Sequence, residues 1–599
     1  MRESSAEQTS SGTTADFIDT LSSFSRLHRA QRWEGTFGEF LSNILPGNAA
    51  ALARSSHEYI WDMLRWHGRA AQPDAPESAR ARELFKRELF GIDESLSRVV
   101  DYFKAAAAGS DVGRRLLLLL GPPSGGKSTL AILIKRGLEE YSRTEEGALY
   151  AIRGSPLREN PLNLIPTSLR AEFRERYGVL ISGELSPWAR DFVERDYEGD
   201  FVRVPVERVF LTEASRTGIG TLKVKREFLY LLLTLTQEKN VKVSRFPLIH
   251  LDETILAHTN LAEFHKFLQE KENEALLDRM VIIKIPYALS YRDESRIYQK
   301  LVSGAPAFRN VHLDPHVLNL AAVFGILTRL TKPEREGLDL PKKLRLYAGE
   351  AVEGMPETEG TRLHAETPEE GMTGVSPRFV VNAISNAITR GNTHSLTSME
   401  LLLALKDSIE SDARMDAKQK KAWIDHLVTA RKEFYNRWVK EDVHRAMFAS
   451  FEEEAQQLLE KYLDEVEASL DHRQVTDPIT NETRPADERF LRSVEEKIKV
   501  SDSGKMSFRQ EVVRKAMVAF KAGEKFKLAS HARMREAIEQ YLFEERRDVL
   551  RLVTSTARPD DDARQKISVV QQRLVTEYGY DEHSAKEALS YVTTLLAQE

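Results

Sequence analysis

Gly121-Pro-Pro-Ser-Gly-Gly-Lys127-Ser128-Thr129 lies between an apolar run, Leu116 to Leu120, and a stretch with helical character, Leu130-Ala-Ile-Leu-Ile-Lys-Arg-Gly-Leu-Glu. Strand, glycine loop and helix in that order are the setting of a phosphate-binding P-loop. Gly121, Gly125 and Gly126 let backbone N–H groups turn inward around phosphates where a side chain would clash. The helix start adds its partial positive charge. Lys127 has the reach to meet β- and γ-phosphates, and the Ser128 hydroxyl can ligate Mg²⁺. Ser124 and Thr129 complete the predicted nucleotide-binding set, and the expected cofactors are ATP and Mg²⁺.

The chain has 599 residues, enough for roughly three to four domains of ~150 residues. Apolar residues at 41% and charged residues at 30% suit a soluble, helix-rich protein. A net charge of −6 leaves no overall basic footprint, so nucleic acid is not an expected partner. The absence of cysteine excludes disulfides, a thiolate nucleophile and Cys-ligated metals. No segment approaches the ~20 apolar residues that span a bilayer. The polar, acidic N-terminus does not read as a signal peptide, so a cytoplasmic protein without membrane contact is expected.

The pattern divides into a helical N-terminal region, 1–85; an α/β P-loop core with a parallel sheet flanked by helices, 86–286; a helical lid, 287–394; and an all-α C-terminal domain, 395–599. Within these, Trp33-Glu-Gly-Thr-Phe reads as helical, 349–370 as an exposed loop, and 439–470 as one long helix. Residues 477–485 and 556–562 read as turns, and the Lys/Arg-rich stretch 505–535 as a solvated helical face.

Further segments come after the P-loop in the order that an AAA+ ATPase requires. Ile255-Leu-Ala-His-Thr-Asn260 is an apolar strand ending in Asn and resembles sensor 1, whose Asn orients the attacking water. Arg279, between Leu276-Leu-Asp and the strand starting at Met280, stands where AAA+ proteins often place an arginine finger acting on a neighbouring subunit. Gly374-Val-Ser-Pro-Arg378 resembles sensor 2, with Ser376 as N-cap, Pro377 in the first turn and Arg378 directed at the γ-phosphate. Gly91-Ile92 resembles the segment that packs on adenine; the alternative is a plain helix start capped by Asp93.

Taken with Glu88-Leu-Phe-Gly-Ile, Arg216-Thr-Gly-Ile-Gly-Thr, Asn273-Glu-Ala-Leu and Gly371-Met-Thr-Gly-Val-Ser-Pro-Arg, the chain resembles the PrkA family over nearly its whole length. That resemblance implies an AAA+ core, a helical lid and a C-terminal domain that the family name associates with serine protein kinase activity, in stress or developmental regulation. It implies protein substrates and a homo-oligomer, most simply a hexamer.

One departure is large. An acidic Walker B strand should precede the helix Glu227–Gln237, yet Gly218-Ile-Gly-Thr221 runs directly into Leu222-Lys-Val-Lys-Arg. The expectation is therefore a polypeptide that continues through a further segment at Thr221–Leu222. Leu248-Ile-His-Leu-Asp252-Glu253 imitates Walker B in composition but reads as a hairpin turn; Asp252 or Glu253 is next in line if the strand is truly absent. The Val-Ala-Ile-Lys, His-Arg-Asp and Asp-Phe-Gly signatures of eukaryotic-type kinases are missing. So are His-Glu-x-x-His and Gly-x-Ser-x-Gly. A Ser–Lys dyad leaves no local signature, so an ATP-dependent protease or unfoldase, and a nucleotide-gated scaffold, stand as alternatives to the kinase.

Overall fold

The computed structural model describes residues 16–26, 31–70, 73–222, 229–242, 248–270, 273–356, 358–391, 395–450, 452–476, 483–521, 526–528, 531–545 and 561–598. The chain forms two compact units. One comprises Met1–Leu289 with Thr367–Ser376, and the other Ser290–Glu366 with Pro377–Glu599.

In the first unit, five consecutive leucines form the strand Leu116–Leu120, buried on both faces. A run without polar alternation suits the middle of a parallel sheet covered on both sides. It pairs in parallel with Leu256–Thr259 on one edge and Met280–Lys284 on the other. Leu117 and Leu119 face a cluster containing Met63 and Leu64 of helix Ser56–His67, Val99 and Phe103 of helix Asp93–Ala107, and Leu130 of helix Lys127–Ser142. Leu116 and Leu118 face Phe267 and Leu276 on the opposite side. Each buried leucine contributes on the order of 2 kcal/mol. The helix Ser56–His67, closed by a Ser55–Glu58 capping box, thus shares one core with the P-loop strand.

Among the described residues the P-loop sheet has three strands. Glu34–Thr36, Pro205–Val209 and Leu149–Ile152 make a separate antiparallel sheet over its own core of Phe37, Phe40, Ile152 and Val206. Trp33-Glu-Gly-Thr-Phe is therefore not helical. Its centre pairs as an edge strand, and the helix starts only at Phe37, capped by Thr36. Asn240–Val241 pairs antiparallel with Ile249–His250, so the segment Leu248–Glu253, expected to be a hairpin turn, instead contributes a strand to the pair.

The second unit is mainly helical. Val317–Leu327 is apolar and buried except at Asn319. It is not all-α: His312–Leu313 pairs in parallel with Ser395–Leu396, and Gln474–Thr476 pairs antiparallel with Thr483–Pro485. The turn at 477–482 lies outside the described residues. The stretch 349–370 is not merely an exposed loop, because helix Glu359–Glu366 inserts Leu363 beside Leu338, Leu346 and Val352. Of the helix expected over 439–470, Asn436–Ser450 and Glu452–Asp471 are helical, and residue 451 lies outside the described residues. The basic stretch is not wholly solvated either: Arg509 is 1% exposed and ion-paired with Glu495 and Glu488.

Candidate nucleotide site

The loop leaves the carboxyl end of Leu116–Leu120 and enters helix Lys127–Ser142. A Cβ on Gly121 would lie 2.1 Å from the Ile285 carbonyl oxygen, so only glycine lets the loop pass the neighbouring strand. Ser124 (φ 62°) and Gly126 (φ 89°) both adopt left-handed backbone. That turns the following N–H groups into the loop, and the first-turn N–H groups of the helix have no intrahelical acceptors. Ser124 and Ser128 are exposed, whereas Thr129 is half-buried. Lys127 is 7% exposed, and its Nζ donates to the carbonyls of Gly121 (2.8 Å) and Pro122 (2.6 Å). Burial lowers its pKa, and no carboxylate acts on it among the described residues. An inward backbone cradle, a free helix start and a shielded ammonium suit the phosphates of ATP. The exposed Ser128 hydroxyl can supply one ligand to Mg²⁺.

In the segment predicted to pack on adenine, Gly91 takes φ 71°, and Ile92, rather than Asp93, occupies the N-cap position of helix Asp93–Ala107 without a side-chain cap bond. The capping alternative therefore fails. Leu89 and Ile92 instead press on the loop: a Cβ on Gly126 would meet Leu89 Cδ2 at 3.0 Å and Ile92 Cδ1 at 3.9 Å. Asn260 comes directly after strand Leu256–Thr259, beside the P-loop strand, and its side chain accepts from Glu263 N as the N-cap of helix Leu261–Leu268. Arg279 is exposed, and its carbonyl accepts from Leu116 N. Arg378 is exposed in the first turn of helix Pro377–Gly391, which belongs to the other compact unit.

Two residues escaped the sequence reading. The Tyr287 hydroxyl donates to the Pro123 carbonyl (2.6 Å), and its N–H donates to Gly371 O (2.9 Å). Tyr287 thus joins the P-loop to the glycine-rich segment ahead of Arg378. A tyrosine directly after the strand exit Ile285-Pro286 was the available signal. His258, paired in register with Leu119, has its pKa lowered by burial and by the Lys127 charge.

Neither Asp252 nor Glu253 can serve as the Walker B acid. Both precede strand Leu256–Thr259, whereas the loop lies beyond the strands' carboxyl ends, about 13 Å further at ~3.3 Å per residue. Asp252 is also occupied: it accepts from Ser56 N (2.8 Å) and pairs with Lys239. Burial, and then Asp252, raise the pKa of Glu253. Glu263 and Glu369 stand nearer the carboxyl ends, paired with Lys266 and Lys284. Among the described residues no strand pairs with the free edge of Leu256–Thr259, where a Walker B strand would lie.

A strand–loop–helix phosphate cradle at the carboxyl edge of a parallel sheet defines a P-loop nucleotide-binding domain. Comparison with known proteins is more specific. Residues 66–224 and 220–337 match a family model described as the PrkA AAA domain, and residues 341–591 match the PrkA serine protein kinase C-terminal domain. The chain is 38% identical to the "ATP-dependent protease PrkA" of Bacillus subtilis (strain 168), over 97% of this chain and the whole of that protein. It is 24% identical to the "Serine/threonine kinase YeaG" of Escherichia coli (strain K12), over 92% of this chain and 96% of that one. No solved structure matches. The chain belongs to the PrkA family.

The AAA model matches in two pieces that meet at 220–224, beside Thr221–Leu222. The alignment with the Bacillus relative runs over 636 residues, whereas 97% of this 599-residue chain is about 581. The relative therefore carries residues that have no counterpart here.

Proposed function

We propose that the chain binds ATP with Mg²⁺ in the 121–129 loop and uses it to act on protein substrates. The observation that carries this reading is the Lys127 ammonium, buried against loop carbonyls with no carboxylate to neutralise it among the described residues. A γ-phosphate supplies the missing charge. In this proposal Lys127 holds the phosphates, Asn260 orients water, Arg378 responds to the γ-phosphate, and exposed Arg279 reaches a neighbouring copy in a homo-oligomer.

Of the two activities that the relatives' names carry, we favour proteolysis, because that name belongs to the 38% identical relative covered along its whole length. Protein phosphorylation is the second reading, supported by the name of the 24% identical relative. Incubating the chain with casein and Mg²⁺-ATP, then analysing the casein by mass spectrometry, separates them. Internal cleavage supports proteolysis, and a gain of phosphate supports the kinase. Neither product, with ATP still bound, leaves a nucleotide-gated scaffold.

A further inference from the structure

Helix 16–26 carries four large apolar side chains, Phe17, Ile18, Leu21 and Phe24, at the spacing of one helical face. All four are more than half exposed, Phe17 at 67%. Single apolar residues in water are ordinary, but an apolar stripe along a whole helix marks a contact surface. The helix hydroxyls bond back within it: Thr20 Oγ1 donates to the Asp16 carbonyl (2.8 Å), and Ser25 Oγ to the Leu21 carbonyl (2.8 Å). Asp16 and Asp19 are exposed and form no ion pair among the described residues. Residues 1–25 hold four carboxylates against one arginine.

Helix Lys505–Lys521 has the opposite character. One side is fixed in the core of the second unit by Phe508, Val512 and Ala516, and Arg509 is held there by Glu488 and Glu495. The other side presents Met506, Met517, Val518 and Phe520 to solvent, Phe520 at 66%. Arg514 and Lys521, one turn before and after Met517 and Val518, are exposed on the same side. Lys515 pairs with Glu511 (3.1 Å), whereas neither Arg514 nor Lys521 meets a carboxylate among the described residues. The chain therefore exposes two apolar helix faces, one accompanied by unpaired carboxylates and the other by unpaired cations.

We propose that helix 16–26 of one copy docks on the exposed side of helix Lys505–Lys521 of a second copy. The two apolar faces cover each other, and the unbranched Met506 and Met517 let the surface adapt to the incoming Phe17 and Phe24 rings. Asp16 and Asp19 bring negative charge towards Arg514 and Lys521, which steers the encounter and fixes its polarity. Charge selects the occupant: a cationic apolar face attracts an anionic apolar helix, and every copy of this chain carries one. The contact joins two different patches, so its repetition from copy to copy closes a ring or extends a filament. This rests on the homo-oligomeric reading, for which it names a contact that involves neither Arg279 nor the nucleotide.

The chain has no cysteine, so single cross-linking sites can be placed at will. The test mixes full-length Leu21→Cys with full-length Met517→Cys under copper phenanthroline and maps the dimer band by tryptic mass spectrometry. Sedimentation velocity of the unmodified chain reads its assembly. The expected result is a disulfide between positions 21 and 517, absent when Leu21→Cys is mixed with Leu403→Cys, an exposed site on helix Ser398–Ser411. Adding Arg514→Glu and Lys521→Glu to the second chain should lower its yield at least about 10-fold, because like charges then meet. Asp16→Lys with Asp19→Lys on the first chain should restore it. An oligomer without that disulfide overturns the contact and leaves the oligomer standing, whereas a monomer at every concentration overturns both. A disulfide formed only within single copies of the Leu21→Cys/Met517→Cys double variant overturns the second copy as occupant. Binding to phosphatidylglycerol vesicles through Arg514 and Lys521, without the disulfide, overturns the proposal in favour of a membrane surface.

Discussion

Lys127 in the first unit and Arg329 and Arg509 in the second are all buried cations, but they keep opposite company. Lys127 is satisfied by two neutral carbonyls. In the second unit, Arg329 and Glu294 pair at 2.5 Å with both side chains 0% exposed, and Arg509, 1% exposed, pairs with Glu495. A buried ion pair is already neutral, so its role is structural, and removing one partner strands the other charge. A buried ammonium held only by dipoles can exchange them for a phosphate. The company a buried cation keeps, more than its burial, marks the ligand site.

That contrast is broken most forcefully from the second unit. Glu294→Ala should cost about 3–5 kcal/mol of unfolding free energy, measured by denaturant titration, because Arg329 is left charged in the core. Near-wild-type stability would mean that Arg329 reaches water.

Acid should weaken the first unit. Burial, and then the Lys239 charge, hold His57 at about pKa 4, against an ordinary 6.5. The unfolded chain therefore binds a proton between these values that the folded chain refuses. Stability is full above pH 6.5 and falls as pH drops towards 4, by about 3 kcal/mol in all. His57→Gln should flatten this dependence in pH-resolved thermal unfolding.

Lys127→Ala should weaken ATP binding about 100-fold, as expected for losing charge-assisted contacts of about 1.5–3 kcal/mol, read by titration calorimetry. The same variant should raise the pKa of His258, tracked by NMR, since it removes the positive charge that helps depress it. An unmoved His258 would place Lys127 elsewhere. The smallest effect is expected at Tyr287→Phe, which deletes the bond to Pro123 O and should cost about 1 kcal/mol in unfolding free energy.

The nucleotide site was legible because its parts are consecutive: Gly121 to Thr129 encode strand exit, turn, ammonium and helix start in nine residues. Asn260 and the Arg279–Met280 boundary were legible for the same reason, each closing or opening a regular element. Tyr287 was not, because its bond to Pro123 spans most of the first unit's sequence. Arg509 read as one more solvated cation, because a helical charge pattern does not show which side chain meets Glu488 and Glu495. Residues 34–36 read as helical because edge pairing with 205–207 outweighs local periodicity.

By itself, then, the sequence determined the P-loop, its flanking strand and helix, and the largely helical character of the chain beyond residue 287, since each depends on local spacing and on which backbone turns glycine permits. Tertiary structure decided how many strands join the P-loop sheet and which buried cations already have a carboxylate. It also decided that Asp252 and Glu253 stand at the wrong end of their strand, and that Ser395 pairs in register with His312. Those outcomes depend on pairing register and chain return, which carry no local signature because the residues concerned meet only after the loops between them have closed.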